Sequence, residues 1–156
     1  MMREESNTDI QGSGETQNTL TVREFVETLS QTGQCDLFEK AFSADALRAA
    51  GIDINEKKMR RLDAALMLHK YLLEVAGIPD LEDISAAAVL KDLYDCRKCV
   101  AHIAQVYLRG LMTAVRYPLP DGNELLVFDG SAPYMREQLK QLLCSWSRVI
   151  KTGADA

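Results

Sequence analysis

Leu20-Thr-Val-Arg-Glu-Phe25, Met59-Arg-Arg-Leu-Asp-Ala64 and Tyr134-Met-Arg-Glu-Gln-Leu139 open three amphipathic helices in the same way, and their agreement decides how the chain reads. Counted from Leu20, Met59 and Tyr134, the fourth following position holds an acid or amide: Glu24, Asp63 and Gln138. The fifth holds Phe25, Ala64 and Leu139, and the ninth Leu29, Leu68 and Leu143, so the apolar face keeps its phase. A helical unit recurring every several tens of residues predicts stacked or bundled units that share one core. The three opening helices are therefore expected to lie against one another, with Phe25, Leu29, Leu68, Leu139 and Leu143 between them.

The remaining elements follow from periodicity and stop signals. Met1 to Asn18 is polar and offers almost nothing to bury, which predicts a disordered arm over 1–19. Thr21 caps a first helix carrying Phe25, Val26 and Leu29, with Gly33 as its stop. A short second helix carries Phe38, Phe42 and Leu47 and halts at Gly51. Asn55 is expected to cap a long helix, Glu56 to Val75, that ends at Gly77-Ile-Pro79. Ser85 to Arg109 reads as one long helix or two with a break near Asp95. Two short extended runs around Pro118-Leu-Pro-Asp-Gly-Asn123 predict a small β-hairpin, and a final helix carries Leu139, Leu142, Leu143, Trp146 and Val149. The expected fold is mainly α: one helical-bundle domain over 20–150 with one small β-hairpin, followed by a flexible tail over 151–156.

Composition narrows the function. A chain of 156 residues with 47% hydrophobic content can bury one proper core. A net charge of −5 argues against nucleic-acid binding, which needs a basic face to replace counterions. No apolar run approaches the length of a bilayer-spanning helix, so no membrane insertion is expected. The opening Met1-Met-Arg-Glu-Glu-Ser lacks the apolar stretch of a secretory signal.

With the units laid out, the chain resembles the S-layer homology family, whose repeats begin on a helix opened by Ile-Thr-Arg-Ala-Glu or variants. The middle unit runs Met59-Arg-Arg-Leu-Asp63, Leu81-Glu-Asp-Ile84 and Gly110-Leu-Met112. Phe128-Asp-Gly-Ser-Ala-Pro133 then leads into Tyr134, in the order and spacing of that family. Arg61 and Arg136 stand at the family's arginine position, whereas the first unit has Val22 there and Arg23 one residue later. The family's threonine survives only as Thr21, replaced by Arg60 and Met135.

The resemblance implies binding of pyruvylated cell-wall polysaccharide in grooves between units, and hence a non-catalytic anchoring module of the bacterial cell envelope. The residues it points to are Arg61, Asp63, Arg136, Gln138, Arg23 and Glu24. A guanidinium at a helix start suits the pyruvyl carboxylate, aided by the free amides of the first turn. Against this, a first-turn Arg and acid often form only a solvated pair worth well under about 1 kcal/mol. The alternative function is an intracellular helical protein-interaction module without glycan. Location follows the same division: the cell surface if the chain is a fragment or processed form, and the cytoplasm if it is used as written. The truncated third unit predicts apolar surface near Trp146, Val149 and Ile150 that favours self-association or a protein partner, unless the short first unit folds back to close the bundle.

Other constellations carry less. Cys96-Arg-Lys-Cys99 with His102 sets three potential ligands on one helix, but a zinc site needs about four and the paired knuckles are absent. Neither metal nor cofactor is expected. All four cysteines read as free thiols in small apolar positions, and a redox pair lacks the surrounding strands and helices of a thioredoxin-like site. His69 falls on an apolar stripe and reads as a satisfied core histidine. Tyr94, Tyr107, Tyr117 and Trp146 are candidates for stacking on sugar rings, though core packing is the simpler role. Arg97-Lys98 reads as a wet helix face. No phosphate loop, nucleophile elbow or catalytic triad pattern appears, so an enzyme is not expected.

Overall fold

The computed structural model describes residues 19–32, 36–55 and 58–155. Helix α1 spans Val22–Thr32, α2 Asp36–Ala41, α3 Ala44–Ala49 and α4 Arg61–Lys70, the last running on as a wider π turn over Tyr71–Val75. Three 3-10 turns, Ser85–Val89, Leu93–Asp95 and Arg97–Cys99, lead into α5, Val100–Leu108. Strands β1, Val115–Pro118, and β2, Glu124–Val127, precede the long α6, Arg136–Asp155. The fold is mostly helical with one small antiparallel sheet, as the periodicity implies.

The three openings meet at their first residues. The Met59 N–H donates to the Leu20 carbonyl at 2.8 Å, and the Tyr134 N–H donates to the Met59 carbonyl at 2.7 Å. Antiparallel bridges join Thr19 to Met135 and Arg60 to Pro133, so each opening is linked to both of the others. Leu20, Met59 and Tyr134 are each at most 1% exposed, and Phe25 meets the Tyr134 ring edge-on at 5.4 Å. Phe25, Leu29, Leu68 and Leu139 are buried as expected, but Leu143 is 40% exposed. The buried stripe of α6 runs Leu139, Leu142, Trp146, and Leu143 falls to one side of it. Trp146 itself packs edge-on against Tyr71 at 5.0 Å, so it does not supply open apolar surface. The side chains of Val149 and Ile150 lie outside the described residues.

Several boundaries differ from expectation. The expected arm lies outside the described residues up to Asn18, but Thr19 is already buried and bridged. The second helix divides because Ser43 caps a new start by accepting from the Ala46 N–H at 3.1 Å. Asn55 does not cap the helix of the second opening. Met59 bonds through its N–H to Leu20 and through its carbonyl to Tyr134, and the Arg61 N–H donates to the Ala132 carbonyl, so the backbone stays extended through Arg60 and α4 starts only at Arg61. Ser85 to Arg109 is not one helix: Leu90 and Cys96 are extended, and only its last third is α-helical. Gln105 instead pins the extended stretch before it, exchanging both amide bonds with Leu81 at 2.9 and 3.0 Å. At the far end α6 continues through Asp155, where a flexible tail was expected from 151.

Two of the four cysteines also depart from the free-thiol expectation. Cys96 and Cys99 form a disulfide, and Cys144 is exposed rather than buried. Cys35 lies outside the described residues.

Candidate functional site

The recurring acid or amide of each opening has one local task. Glu24 accepts from the Thr21 N–H at 3.1 Å, Asp63 from the Arg60 N–H at 3.0 Å, and Gln138 from the Met135 N–H at 2.8 Å. Each satisfies a backbone donor that the first turn leaves without an intrahelical acceptor. Only Thr21 returns the bond, its hydroxyl accepting from the Glu24 N–H at 3.0 Å. Arg60 instead clamps Asp63 through Nε and Nη2 at 3.2 and 2.9 Å.

These capping residues also face the preceding unit. The residue two positions into one opening shares a cleft or an ion pair with the capping residue of the next. Val22 and Asp63 line one cleft, Arg61 and Gln138 line another, and Arg136 pairs with Glu24 at 3.2 Å. The first two junctions are matched by identical helix stops. Gly51 and Gly110 adopt left-handed φ values of 88° and 78°, and the amides after them, Ile52 and Leu111, reach back to Leu47 and Val106 at 2.8 and 2.9 Å. This is the Schellman arrangement, which favours glycine for its positive φ. Both glycines line their clefts.

The clefts differ in what fills them. The first, walled by Val22, Ile52, Asp53, Lys58 and Asp63, holds a volume of about 260 Å³. The second, walled by Arg61, Leu111, Tyr134, Gln138 and Leu142, is reduced to about 40 Å³, room for very few water-sized groups. Arg61 is 2% exposed. Its Nε donates to the Phe128 carbonyl at 2.9 Å, its Nη2 donates to the Thr113 carbonyl, and its Cζ lies 4.9 Å from the centre of the Phe128 ring. Burial pushes its pKa down, partly offset by Tyr134, Asp129 and Asp92. Among the described residues no carboxylate pairs with it directly. The Tyr134 hydroxyl is likewise buried without a hydrogen-bond partner, and desolvation raises its pKa well above the usual phenol value.

The loop after β2 sets this arrangement. Both Asp92 oxygens accept, from the Phe128 N–H at 2.7 Å and the Asp129 N–H at 2.8 Å, which fixes the carbonyl that holds Arg61. The Leu62 N–H donates to the Gly130 carbonyl at 2.9 Å, and a Cβ at Gly130 would stand 3.2 Å from that of Leu62. The loop approaches α4 so closely that a side chain there would crowd it.

Of the six residues expected from sequence, the structure brings Arg61 with Gln138 and Arg136 with Glu24 to separate junctions. Asp63 caps its helix and lines the first cleft, while Arg23 points elsewhere, donating to Asn55 at 3.1 Å on the surface. Phe128, Thr113, Asp92 and the Tyr134 hydroxyl escaped the sequence reading, because nothing local marks a carbonyl or a ring as an arginine's partner. Tyr94 and Tyr117 are exposed at 66% and 45%.

A second polar group was half seen. Buried His69 directs Nε2 at Asp80 Oδ1, 2.7 Å away, and Nδ1 at His102 Nδ1, 2.8 Å away. The carboxylate only accepts, so His69 Nε2 carries its proton and the two Nδ1 atoms share one more. Desolvation, and then the charge of His69, lower the His102 pKa. With His102 engaged this way and the cysteines oxidised, no metal-ligand cluster forms among the described residues.

Compared with known proteins, the chain matches no family profile, no curated protein and no solved structure. Among the described residues, no helix is long and apolar enough to cross a membrane.

Proposed function

We propose that the protein is a non-catalytic binding module that recognises an acidic group, such as the pyruvyl ketal of a cell-wall polysaccharide, at the junctions between its helix openings. The reading places it as an anchoring module of the bacterial cell envelope, in keeping with the S-layer homology resemblance. The observation that carries it is the buried Arg61, a cation held by carbonyl dipoles and a ring face and, among the described residues, by no directly paired carboxylate. A buried charge without a counter-ion is costly, and a ligand anion reaching it would recover part of that cost. The unpartnered Tyr134 hydroxyl supplies a donor beside it. The small volume of the cleft limits entry to a terminal group such as a carboxylate, the rest of the glycan lying outside.

Sedimentation with purified cell walls tests this. The protein should pellet with walls carrying pyruvylated polysaccharide and stay in solution after the pyruvyl groups are removed by mild acid. Gln138→Glu keeps an acceptor for the Met135 N–H but adds a negative charge facing Arg61, and should weaken binding roughly tenfold by repelling the ligand carboxylate. Equal binding to treated and untreated walls, or to neither, would reject acidic-glycan recognition in favour of the protein-interaction module.

A further inference from the structure

We propose that the Cys96–Cys99 disulfide is a thiol–disulfide exchange site, opened by attack of an uncharged dithiol on Cys96 Sγ. The two cysteines are not equivalent. Cys96 is half-buried and forms part of the wall of a cleft of about 330 Å³, together with Arg60, Asp92, Asp95, Asp129 and Ser131. Cys99 is 8% exposed and sits directly before the first turn of α5. An incoming thiolate therefore reaches Cys96 more readily than Cys99.

The chemistry follows from that asymmetry. The thiolate forms a bond to Cys96 Sγ as the Cys96–Cys99 bond breaks, and the electron pair leaves on Cys99 as a thiolate. Cys99 is suited to leave, because it stands at the N-cap of the nine-residue α5, where the positive end of the helix dipole favours negative charge. The second thiol of the reductant, deprotonated, then attacks its own sulfur in the mixed disulfide and expels Cys96 as a thiolate. The dithiol ends as a disulfide, the protein pair ends as two thiols after protonation, and two electrons have moved.

The cleft also selects among thiols. Asp92, Asp95 and Asp129 bring three carboxylates against one guanidinium, and Arg60 already pairs with Asp63 at 2.9 Å. An anionic thiol such as glutathione is disfavoured relative to a neutral one.

Timed alkylation with peptide mapping, on oxidised protein of the full chain, tests this. Dithiothreitol without denaturant should convert Cys96 and Cys99 together from blocked to alkylatable while circular dichroism stays helical. In the single variants Cys99→Ser and Cys96→Ser, an uncharged aromatic disulfide reagent should react with the remaining Cys96 at least about tenfold faster than with the remaining Cys99. With wild type, mercaptoethanol should outpace glutathione, and added salt should narrow the gap. The proposal is overturned if oxidised protein carries both cysteines as free thiols, if the pair opens only in denaturant, or if Cys99 reacts as fast as Cys96. The wild-type alkylation stands even if a variant fails to fold.

Discussion

The clefts beside Val22 and Arg61 occupy equivalent places, between one opening and the next, beside identical glycine stops, yet one is an open hollow and the other is nearly filled. The difference lies in one side chain and the carbonyls it recruits. Val22 is wholly buried and asks nothing of its neighbours beyond packing. Arg61 needs hydrogen-bond acceptors, and the loop holding Phe128 and the segment holding Thr113 are drawn in to supply them. An arginine at a repeat position thus organises a long stretch of chain that a valine leaves independent. This accords with the middle unit being the long one.

The largest expected effect breaks that comparison at its stronger member. Arg61→Met keeps most of the volume but leaves the Phe128 and Thr113 carbonyls without donors, and should cost roughly 2–4 kcal/mol in urea unfolding. Val22→Ala removes only packing and should cost about 1–2 kcal/mol. Equal losses at the two positions would mean that Arg61 acts by bulk alone.

The capping residues come next. Asp63→Ala, Glu24→Ala and Gln138→Ala each delete one acceptor for an opening amide and should cost about 1 kcal/mol apiece. Asp63 should lead the three, because it is the most buried and also loses both bonds from Arg60. Identical values would put the Arg60 clamp at nothing and reduce the three openings to one equivalent device.

These openings were legible in the sequence because capping is local: the donor and its acceptor stand three residues apart. Phe25, Leu29 and Leu68 could be placed for the same reason, since their spacing alone sets the buried face. What the sequence hid is long-range. The partners of Arg61 lie 67 and 52 residues away, and a first-turn arginine looks the same whether it faces water or a carbonyl. Asp92 read as a polar residue within a helix. It is in fact the acceptor for two amides more than thirty residues on, and the chain around it breaks into 3-10 turns. Asn55 offered a better cap by composition than Arg60, but the backbone bonds of Met59 to Leu20 and Tyr134, and of Arg61 to Ala132, delay the helix.

The histidine pair sharpens the contrast between α4's two ends, one held by a cation and the other by neutral rings. His102 has a pKa lowered from 6.5, so the folded state binds fewer protons than the unfolded chain. Stability is fully present above about 6.5 and should fall as the pH drops towards the lower folded value. One extra proton on the pair still leaves an Nδ1 acceptor, whereas two put N–H groups face to face and break the contact. Thermal unfolding followed from neutral pH to below 6 should show this decline, and His102→Gln should flatten it. An unchanged slope in the variant would assign the decline to other groups.

The smallest effect belongs to the junction of the third opening with the first, where Arg136 replaces the buried Arg61 geometry with a half-exposed pair. Its Nη2 reaches both Glu24 Oε2 and the Thr19 carbonyl at 3.2 Å, and the two side chains remain 41% and 43% exposed. Water and salt screen such a pair, so Arg136→Ala should cost no more than about 0.5 kcal/mol through the ion pair. The Glu24 carboxyl is held below its ordinary 4.5 first by the Thr21 backbone N–H, and by Arg136 only after that. Its contribution is therefore present above about 4.5 and lost as the pH falls through the lower folded value. Removing Arg136 should reduce this acid-side loss without abolishing it, because the Thr21 amide remains. A double-mutant cycle of Arg136→Ala and Glu24→Gln at low and high salt isolates the pair. A coupling as large as the Arg61 effect, or one indifferent to salt, would show that this junction is as dry as the Arg61 cleft despite its exposed side chains.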